Sequence, residues 1–138
     1  MPTPLQLHTF AERYAAAWCS QDAASVASCY SPQGSLKVND AAPSVGRVAI
    51  TAAAQGFMTT FPDMQVIMDE LEIIGDIQNG RAVFRWTLIG TNRGPGGTGK
   101  RVHISGYEEW RIGADGLIAE SQGHFDSVEY PRQLEHGV

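Results

Sequence analysis

The chain has few of the residues that mark redox or metal chemistry. Only two cysteines occur among its 138 residues, Cys19 and Cys29, without a CxxC pair or a zinc-type spacing. We expect both to be reduced thiols in a cytoplasmic protein, with a stray disulfide as the alternative. The four histidines are scattered and none has ligand spacing with a carboxylate, so the sequence predicts no metal site.

Basic runs and long apolar runs are also absent. Ten Lys and Arg residues stand against 15 Asp and Glu residues, which gives a net charge of -5. Without a basic patch there is no footprint for a phosphate backbone, and we expect no nucleic-acid partner. No apolar run approaches the roughly 18 residues that cross a bilayer, and the first ten residues lack the regions of a signal peptide. We therefore expect a soluble chain with no membrane partner.

What is present is an ordinary globular composition, with 43% hydrophobic and 18% charged residues. The length suits a single domain that spans residues 1–138. Apolar side chains from Leu7 to Trp18 recur at the i, i+3, i+4, i+7 spacing. This spacing predicts an amphipathic helix with Pro4 in its first turn.

Two further helices are predicted in the first half of the chain. The first begins after Asp22 as its cap, covers 23–30 and ends at Ser31-Pro32. The second covers 48–60 and ends at Phe61, because the residue before a proline disfavours the helical region. Between them, GSLKVND has the pattern of a strand.

The second half of the chain is rich in strands. Four runs with many Val, Ile, Phe, Trp and Tyr residues cover 64–74, 81–91, 101–112 and 117–128. They are separated by the turn signals DIQNG, NRGPGGTGK and GADG. Helices followed by an antiparallel meander predict an α+β domain, with the helices packed on one face of a curved sheet.

The GADG turn determines which side chains of the last two strands face the core. If it is a two-residue turn, Gly123 lies opposite Glu108 and His124 lies opposite Tyr107. A four-residue loop would shift the partners by two and keep both faces. A three-residue loop with a bulge would change which residues of the two strands share a face of the sheet. It would not change the alternation of side chains within each strand. His124 and Asp126 then lie on the polar, outward face.

Glu108 is the only charged residue on the apolar face of this hairpin, where Ile118 is the one apolar residue assigned to the opposite side. A carboxylate on an apolar face is unfavourable unless it is hydrogen-bonded, paired or protonated, and burial raises its pKa. Such a group suits general acid/base catalysis, which makes Glu108 the candidate catalytic residue. The alternative is a position near the sheet edge, or pairing with a buried group of a helix.

Several motifs resemble a known family. FPDM, RWTLIGTNRG, RIGADGLI and the closing DxxEYxRQL run are similar to the SnoaL-like branch of the nuclear transport factor 2-like superfamily. The resemblance covers nearly the whole chain and is most specific over 61–134. It implies an α+β cone, in which a bent antiparallel sheet wraps around the N-terminal helices and encloses a pocket. It also implies a homodimer through the outer face of the sheet. Relatives include polyketide cyclases, epoxide hydrolases and ketosteroid isomerases, so the fold alone does not assign a reaction.

The functional residues of these relatives carry over only in part. The acid/base Asp of the cyclases and epoxide hydrolases falls at Gly123, and the histidine of the cyclases falls at or next to Glu108. Asn39 matches the water-positioning Asn of the hydrolases, and their Arg-x-Asp pair falls at Arg85-x-Thr87. Both aspartate mechanisms therefore lack their central group in this chain.

In this fold the first helix lines the pocket, so Tyr14 and Trp18 are candidate ligand contacts, with core packing as the alternative. The same alternative applies to Met58 and Phe61. The strand over 81–91 leaves open whether the side of Arg85 or that of Trp86 faces the pocket. The full set of candidate ligand-binding residues is Tyr14, Trp18, Asn39, Met58, Phe61, Arg85, Trp110 and Phe125.

The expected function is binding of a small hydrophobic molecule, with cofactor-independent acid/base chemistry such as cyclisation or isomerisation centred on Glu108. Two alternatives stand beside it. One is a non-catalytic ligand-binding domain, which Gly123 favours. The other is a dimeric scaffold or protein-interaction domain that uses the outer face around His124 and Tyr107.

Overall fold

Four α-helices and six β-strands make up the structure, a computed structural model that describes all 138 residues. The helices are α1 (Pro4–Cys19), α2 (Ala23–Ala27), α3 (Arg47–Thr60) and α4 (Glu129–His136). The strands are β1 (Tyr30–Val38), β2 (Ser44–Val45), β3 (Gln65–Ile73), β4 (Arg81–Thr91), β5 (Arg101–Ile112) and β6 (Ile118–Phe125).

Helix α1 begins where local chemistry favours a helix start. The hydroxyl of Thr3 accepts a hydrogen bond from the Gln6 backbone N–H, and the Gln6 side chain accepts one from the Thr3 N–H, while Pro4 occupies the first turn. The predicted apolar stripe is buried, which confirms the amphipathic helix. Its buried residues are Leu7, Ala11, Tyr14, Ala15, Ala17 and Trp18.

Helix α2 is shorter than predicted. Asp22 caps it as expected, with Oδ1 accepting from the Ala24 N–H at 3.2 Å. The helix ends at Ala27, however, and Ser31-Pro32 lies inside β1, so the predicted end at Ser31-Pro32 was wrong. Pro32 is tolerated there because the pairing of β1 is irregular between Tyr30 and Ser35, where no ladder hydrogen bond is required of it.

The strands form one sheet in the order β2-β1-β6-β5-β4-β3. β3 to β6 form the predicted antiparallel meander, and β1 joins it by running parallel to β6, a pairing that the sequence did not indicate. Hairpin loops specify antiparallel neighbours, whereas β1 is connected to the meander through α3 and meets β6 without a hairpin. The short edge strand β2 was not predicted.

The pairing of β5 with β6 confirms the predicted register around Glu108. Glu108 lies opposite Gly123, and Tyr107 lies opposite His124. Near the turn the register shifts, so that Ile112 pairs with Ile118. This bulge turns Ile118 inward, where it is fully buried, and the prediction that placed it on the outer face was wrong.

The sheet is curved by register shifts in three of its strand pairs and packs its inner face on α1 and α3. This arrangement confirms the predicted α+β architecture. On the outer face Tyr107 stacks on His124 with ring centroids 4.8 Å apart, and Arg85 lies 5.6 Å above the Tyr107 ring. The homodimer expected through this face stays a prediction. None of the helices is both long and apolar enough to cross a membrane.

Candidate functional site

Glu108 occupies the middle of the inner sheet face. Its partners on the neighbouring strands are Phe84 of β4 and Gly123 of β6. Strand alternation turns its side chain toward α1, and only 7% of the residue is exposed. The only ionisable residue predicted for the apolar face of the hairpin is therefore buried in the core.

Three side chains donate hydrogen bonds to a single oxygen of this carboxyl group. The Tyr14 hydroxyl lies 2.9 Å from Oε1, the Trp110 indole nitrogen 3.0 Å and the Ser121 hydroxyl 2.6 Å. The Tyr30 hydroxyl lies 2.7 Å from that of Tyr14 and extends the chain by one more hydrogen bond. No protein group donates to Oε2, which is therefore the oxygen available to a bound molecule.

Burial and hydrogen bonding act on the pKa of Glu108 in opposite directions. Burial raises the pKa above its ordinary value of 4.5, and the hydrogen bonds from Ser121, Trp110 and Tyr14 lower it, with burial the larger effect. Burial and the nearby charge of Glu108 raise the pKa of Tyr14 well above its usual range. Tyr14 therefore acts as a neutral donor, and a proton taken up by Glu108 is placed on Oε2.

Removal of the Tyr14 hydroxyl tests this arrangement. Tyr14→Phe is expected to raise the pKa of Glu108 further, because one donor that stabilises the carboxylate is lost, and to cost about 1–2 kcal/mol of stability. Tyr30→Phe is the matched control, since its hydroxyl is one hydrogen bond further from the carboxylate and its effect on that pKa should be smaller. Carbon-13 NMR titration of labelled glutamate measures the pKa of Glu108 in both variants. An equal response in the two variants would contradict the arrangement.

A cavity lies beside Glu108, between the inner sheet face and helices α1 and α3. Its volume is about 60 Å³, several times the roughly 10–15 Å³ that one water needs, so it has room for a small organic molecule. Buried residues form its floor and four half-buried ones form its rim. The floor consists of Trp18, Leu36, Val66, Leu88, Glu108 and Gly123, and the rim of Val38, Phe57, Trp86 and Phe125.

Gly123 contributes space to this cavity because it has no side chain. A Cβ atom built there would meet only the Lys37 carbonyl oxygen at 3.3 Å and Glu108 Cγ at 3.7 Å. The backbone could therefore carry a side chain here with small adjustments, and that side chain would extend toward Glu108 and the cavity. With glycine at this position, Glu108 is the only charged residue of the lining.

The structure brings together four of the predicted ligand-binding residues. Tyr14 and Trp110 donate hydrogen bonds to Glu108 but do not line the cavity, whereas Trp18 and Phe125 do line it. Trp86 also lines the cavity, which answers the question of which side of β4 faces inward.

The other four predicted residues neither line the cavity nor donate a hydrogen bond to Glu108. Met58 and Phe61 are buried in the core. Arg85 lies on the outer face, with its guanidinium 3.9 Å from the Glu70 carboxylate. Asn39 follows β1 in a left-handed conformation, with φ of 49°, and its amide oxygen accepts a hydrogen bond from the Phe125 backbone N–H at 3.0 Å. Asn39 thus ties the end of β6 to β1.

Two residues of the Glu108 network were missed by the sequence reasoning. The sequence pattern predicts Tyr30 at the end of the second helix, whereas in the structure Tyr30 begins β1, and this position turns its hydroxyl toward Tyr14. Ser121 shares the inner face of β6 with Gly123 and lies opposite Trp110, so the hairpin register contained the signal that would have found it. No cluster of three or more His, Cys, Asp or Glu side chains is arranged to hold a metal ion.

Residues 11–121 match the family model of the SnoaL-like domain. The chain belongs to the SnoaL-like family. This match covers well over half of the chain and confirms the resemblance that the FPDM and RIGADGLI motifs indicated. The comparison with curated proteins returns no match.

Solved structures share the fold of this SnoaL-like chain over nearly its whole length. TsrD from Streptomyces laurentii is 24% identical, with a TM-score of 0.81 over 97% of this chain and 98% of its own. A hypothetical protein with a ketosteroid isomerase-like fold from Catenulispora acidiphila, solved in complex with trimethylamine, is 14% identical, with a TM-score of 0.78 over 96% and 94%. AclR from Streptomyces galilaeus is 23% identical, with a TM-score of 0.74 over 90% and 77%. At these identities the similarity shows the fold alone.

Proposed function

We propose that this SnoaL-like protein binds a small apolar molecule in the cavity and transfers a proton on it through Glu108, without a cofactor. The observation that carries the proposal is the asymmetry of the Glu108 carboxyl group. Three donors hold Oε1, whereas Oε2 is left free in a residue that lines an apolar cavity. A buried carboxyl group with one free oxygen and a raised pKa is suited to act as a general base or acid.

The hydrogen bonds explain how a single residue could serve in both directions. As the carboxylate, Glu108 is held at Oε1 by the three donors and accepts a proton from the ligand at Oε2. The carboxyl group is then neutral, and the negative charge passes to the deprotonated ligand. As the acid, it returns the proton from the same oxygen to another atom of the ligand. Removal and return of one proton is the balance of an isomerisation, and the same step can start a cyclisation.

Hydrogen exchange in a simple ketone tests this proposal without knowledge of the natural substrate. Cyclopentanone in D₂O exchanges its α-hydrogens slowly, and the protein is expected to accelerate the exchange at least about tenfold through Glu108. The rate should increase with pH through the raised pKa of Glu108, because the carboxylate is the base. Proton NMR of the ketone measures the exchange.

Three variants separate this site from general protein catalysis. Glu108→Gln should return the rate to that of buffer. Glu109→Gln changes the neighbouring carboxylate on the opposite, exposed face of β5 and should leave the rate unchanged. Gly123→Val should abolish the acceleration by filling the cavity. Equal rates for wild type and Glu108→Gln would exclude Glu108 as the base.

The second candidate function is ligand binding without chemistry. It is supported by the small cavity and by Gly123, which leaves the lining with one carboxylate rather than a pair. In this case the wild-type protein would bind cyclopentanone, as seen in ligand-observed NMR, without accelerating its exchange. The same samples therefore distinguish the two functions.

A further inference from the structure

The indole nitrogen of Trp86 is the one buried side-chain nitrogen or oxygen in the chain that has no hydrogen-bond partner. Buried donors in proteins are nearly always paired, so an unpaired one calls for an explanation. Trp86 is also part of the rim of the cavity that contains Glu108. An atom supplied by a bound molecule is the simplest partner for this donor.

The orientation of the Trp86 ring is fixed by its neighbours rather than by a hydrogen bond. The ring lies over Gly106, where an added Cβ would be only 2.6 Å from Trp86 Cζ2. The Phe125 ring packs against it edge to face, with centroids 5.8 Å apart. Packing therefore fixes the position of the indole ring, and its N–H has no protein acceptor. A donor that is already held in place needs little further ordering when it meets an acceptor of a ligand.

The charges around the cavity restrict the kind of acceptor that fits. Glu108 lines the cavity, and no Lys, Arg or His does. An anionic ligand would be repelled by the carboxylate and would find no cation. An ammonium ion could pair with Glu108, but it would offer no acceptor to Trp86. An apolar molecule with one neutral acceptor oxygen satisfies the N–H and leaves its hydrocarbon part against the apolar walls.

We propose that Trp86 determines ligand specificity, by donating a hydrogen bond to a neutral acceptor oxygen of the ligand. The ligand class is then small apolar ketones, esters or ethers. This inference rests on the proposed function, since it assumes that the cavity is the binding site. The inference adds to the proposed function the chemical feature that the cavity selects in its ligand, which is a neutral acceptor oxygen.

Two probes of the same shape test the inference. Cyclopentanone carries an acceptor oxygen where methylenecyclopentane carries a CH₂ group. Cyclopentanone is expected to bind about tenfold more tightly, and only cyclopentanone should shift the Trp86 indole proton downfield in a ¹⁵N-labelled sample. Trp86→Phe keeps an aromatic ring but removes the donor. It should bind both probes equally, and its missing signal assigns the Trp86 resonance among the three indole signals.

The outcomes separate this inference from the proposed function. Equal binding of both probes, with an unmoved Trp86 indole signal, would overturn the role of Trp86 while leaving the cavity as the binding site. Trimethylammonium that binds more tightly than cyclopentanone would overturn the ligand class in favour of a cation. No binding of either cyclic probe to the wild-type protein would overturn both the proposed function and the inference.

Discussion

Glu108→Ala is expected to lower the free energy of unfolding by about 3 kcal/mol or more at neutral pH. The substitution removes the acceptor of Tyr14, Trp110 and Ser121 at once. Tyr14 keeps its hydrogen bond with Tyr30, whereas the buried donors of Trp110 and Ser121 lose the acceptor that they share. Each unsatisfied donor costs about 1–3 kcal/mol, and water that enters the enlarged cavity recovers part of this loss. Chemical denaturation with fluorescence detection measures the change.

Glu108→Gln is the matched control for this prediction. Its side-chain oxygen can accept the same three hydrogen bonds, so its stability should stay within about 1 kcal/mol of the wild type. Equal losses in the alanine and glutamine variants would show that the donors do not depend on the acceptor at Oε1. The two variants therefore separate the structural role of Oε1 from the chemical role of Oε2.

The difference in stability between the wild type and Glu108→Gln should depend on pH, and the pKa shift of Glu108 determines the sign of this dependence. The pKa of Glu108 is raised in the folded state above its ordinary value of 4.5, so the folded protein binds this proton more tightly than the unfolded one. The stabilisation from this proton is complete below about pH 4.5 and is lost as the pH rises through the folded pKa. The stability of the wild type relative to Glu108→Gln should therefore decrease over that window.

Sequence reasoning reached Glu108 because two local rules agree there. Strand alternation and the position of the GADG turn fixed the register that pairs Glu108 with Gly123, and the bulge in the structure lies beyond these residues, between Arg111 and Ile112. The apolar stripe of α1 likewise predicted that Tyr14 is buried. Where the orientation of a side chain depends on a single helix or a single hairpin, the periodicity of the sequence therefore predicts it.

The remaining parts of the site depend on contacts between segments that are distant in sequence. Tyr30 reaches Tyr14 only because β1 joins the sheet beside β6 in a parallel arrangement, and no turn signal specifies that pairing. The inward side of Trp86 depends on the register of β4 against β5, since both sides of that strand carry large side chains. The cavity itself was not predictable in size, because it depends partly on the absence of a side chain at Gly123.

Gly106→Ala is expected to destabilise the protein by about 3 kcal/mol and to abolish binding of cyclopentanone. An added Cβ at Gly106 would overlap the backbone carbonyl oxygen of His124 and would lie 2.6 Å from Trp86 Cζ2 and 3.0 Å from Phe125 Cβ. The first of these contacts involves the backbone of the neighbouring strand, so no side-chain rotation can relieve it. β6, which carries Phe125, must move away from β5, and the added Cβ pushes the Trp86 ring of β4 away, so both aromatic residues are displaced from the rim of the cavity.

Gly56→Ala provides the same chemical change at a site without this constraint. Gly56 lies in α3, and a Cβ added there meets no atom within 4 Å. This control should be neutral or stabilising by up to about 1 kcal/mol, because alanine favours a helix more than glycine does. Thermal unfolding measures the stability of both variants, and NMR measures their binding of cyclopentanone. A Gly106→Ala protein that remains as stable as the Gly56→Ala control and still binds cyclopentanone would mean that the rim of the cavity is not held by the close contact of Trp86 with β5.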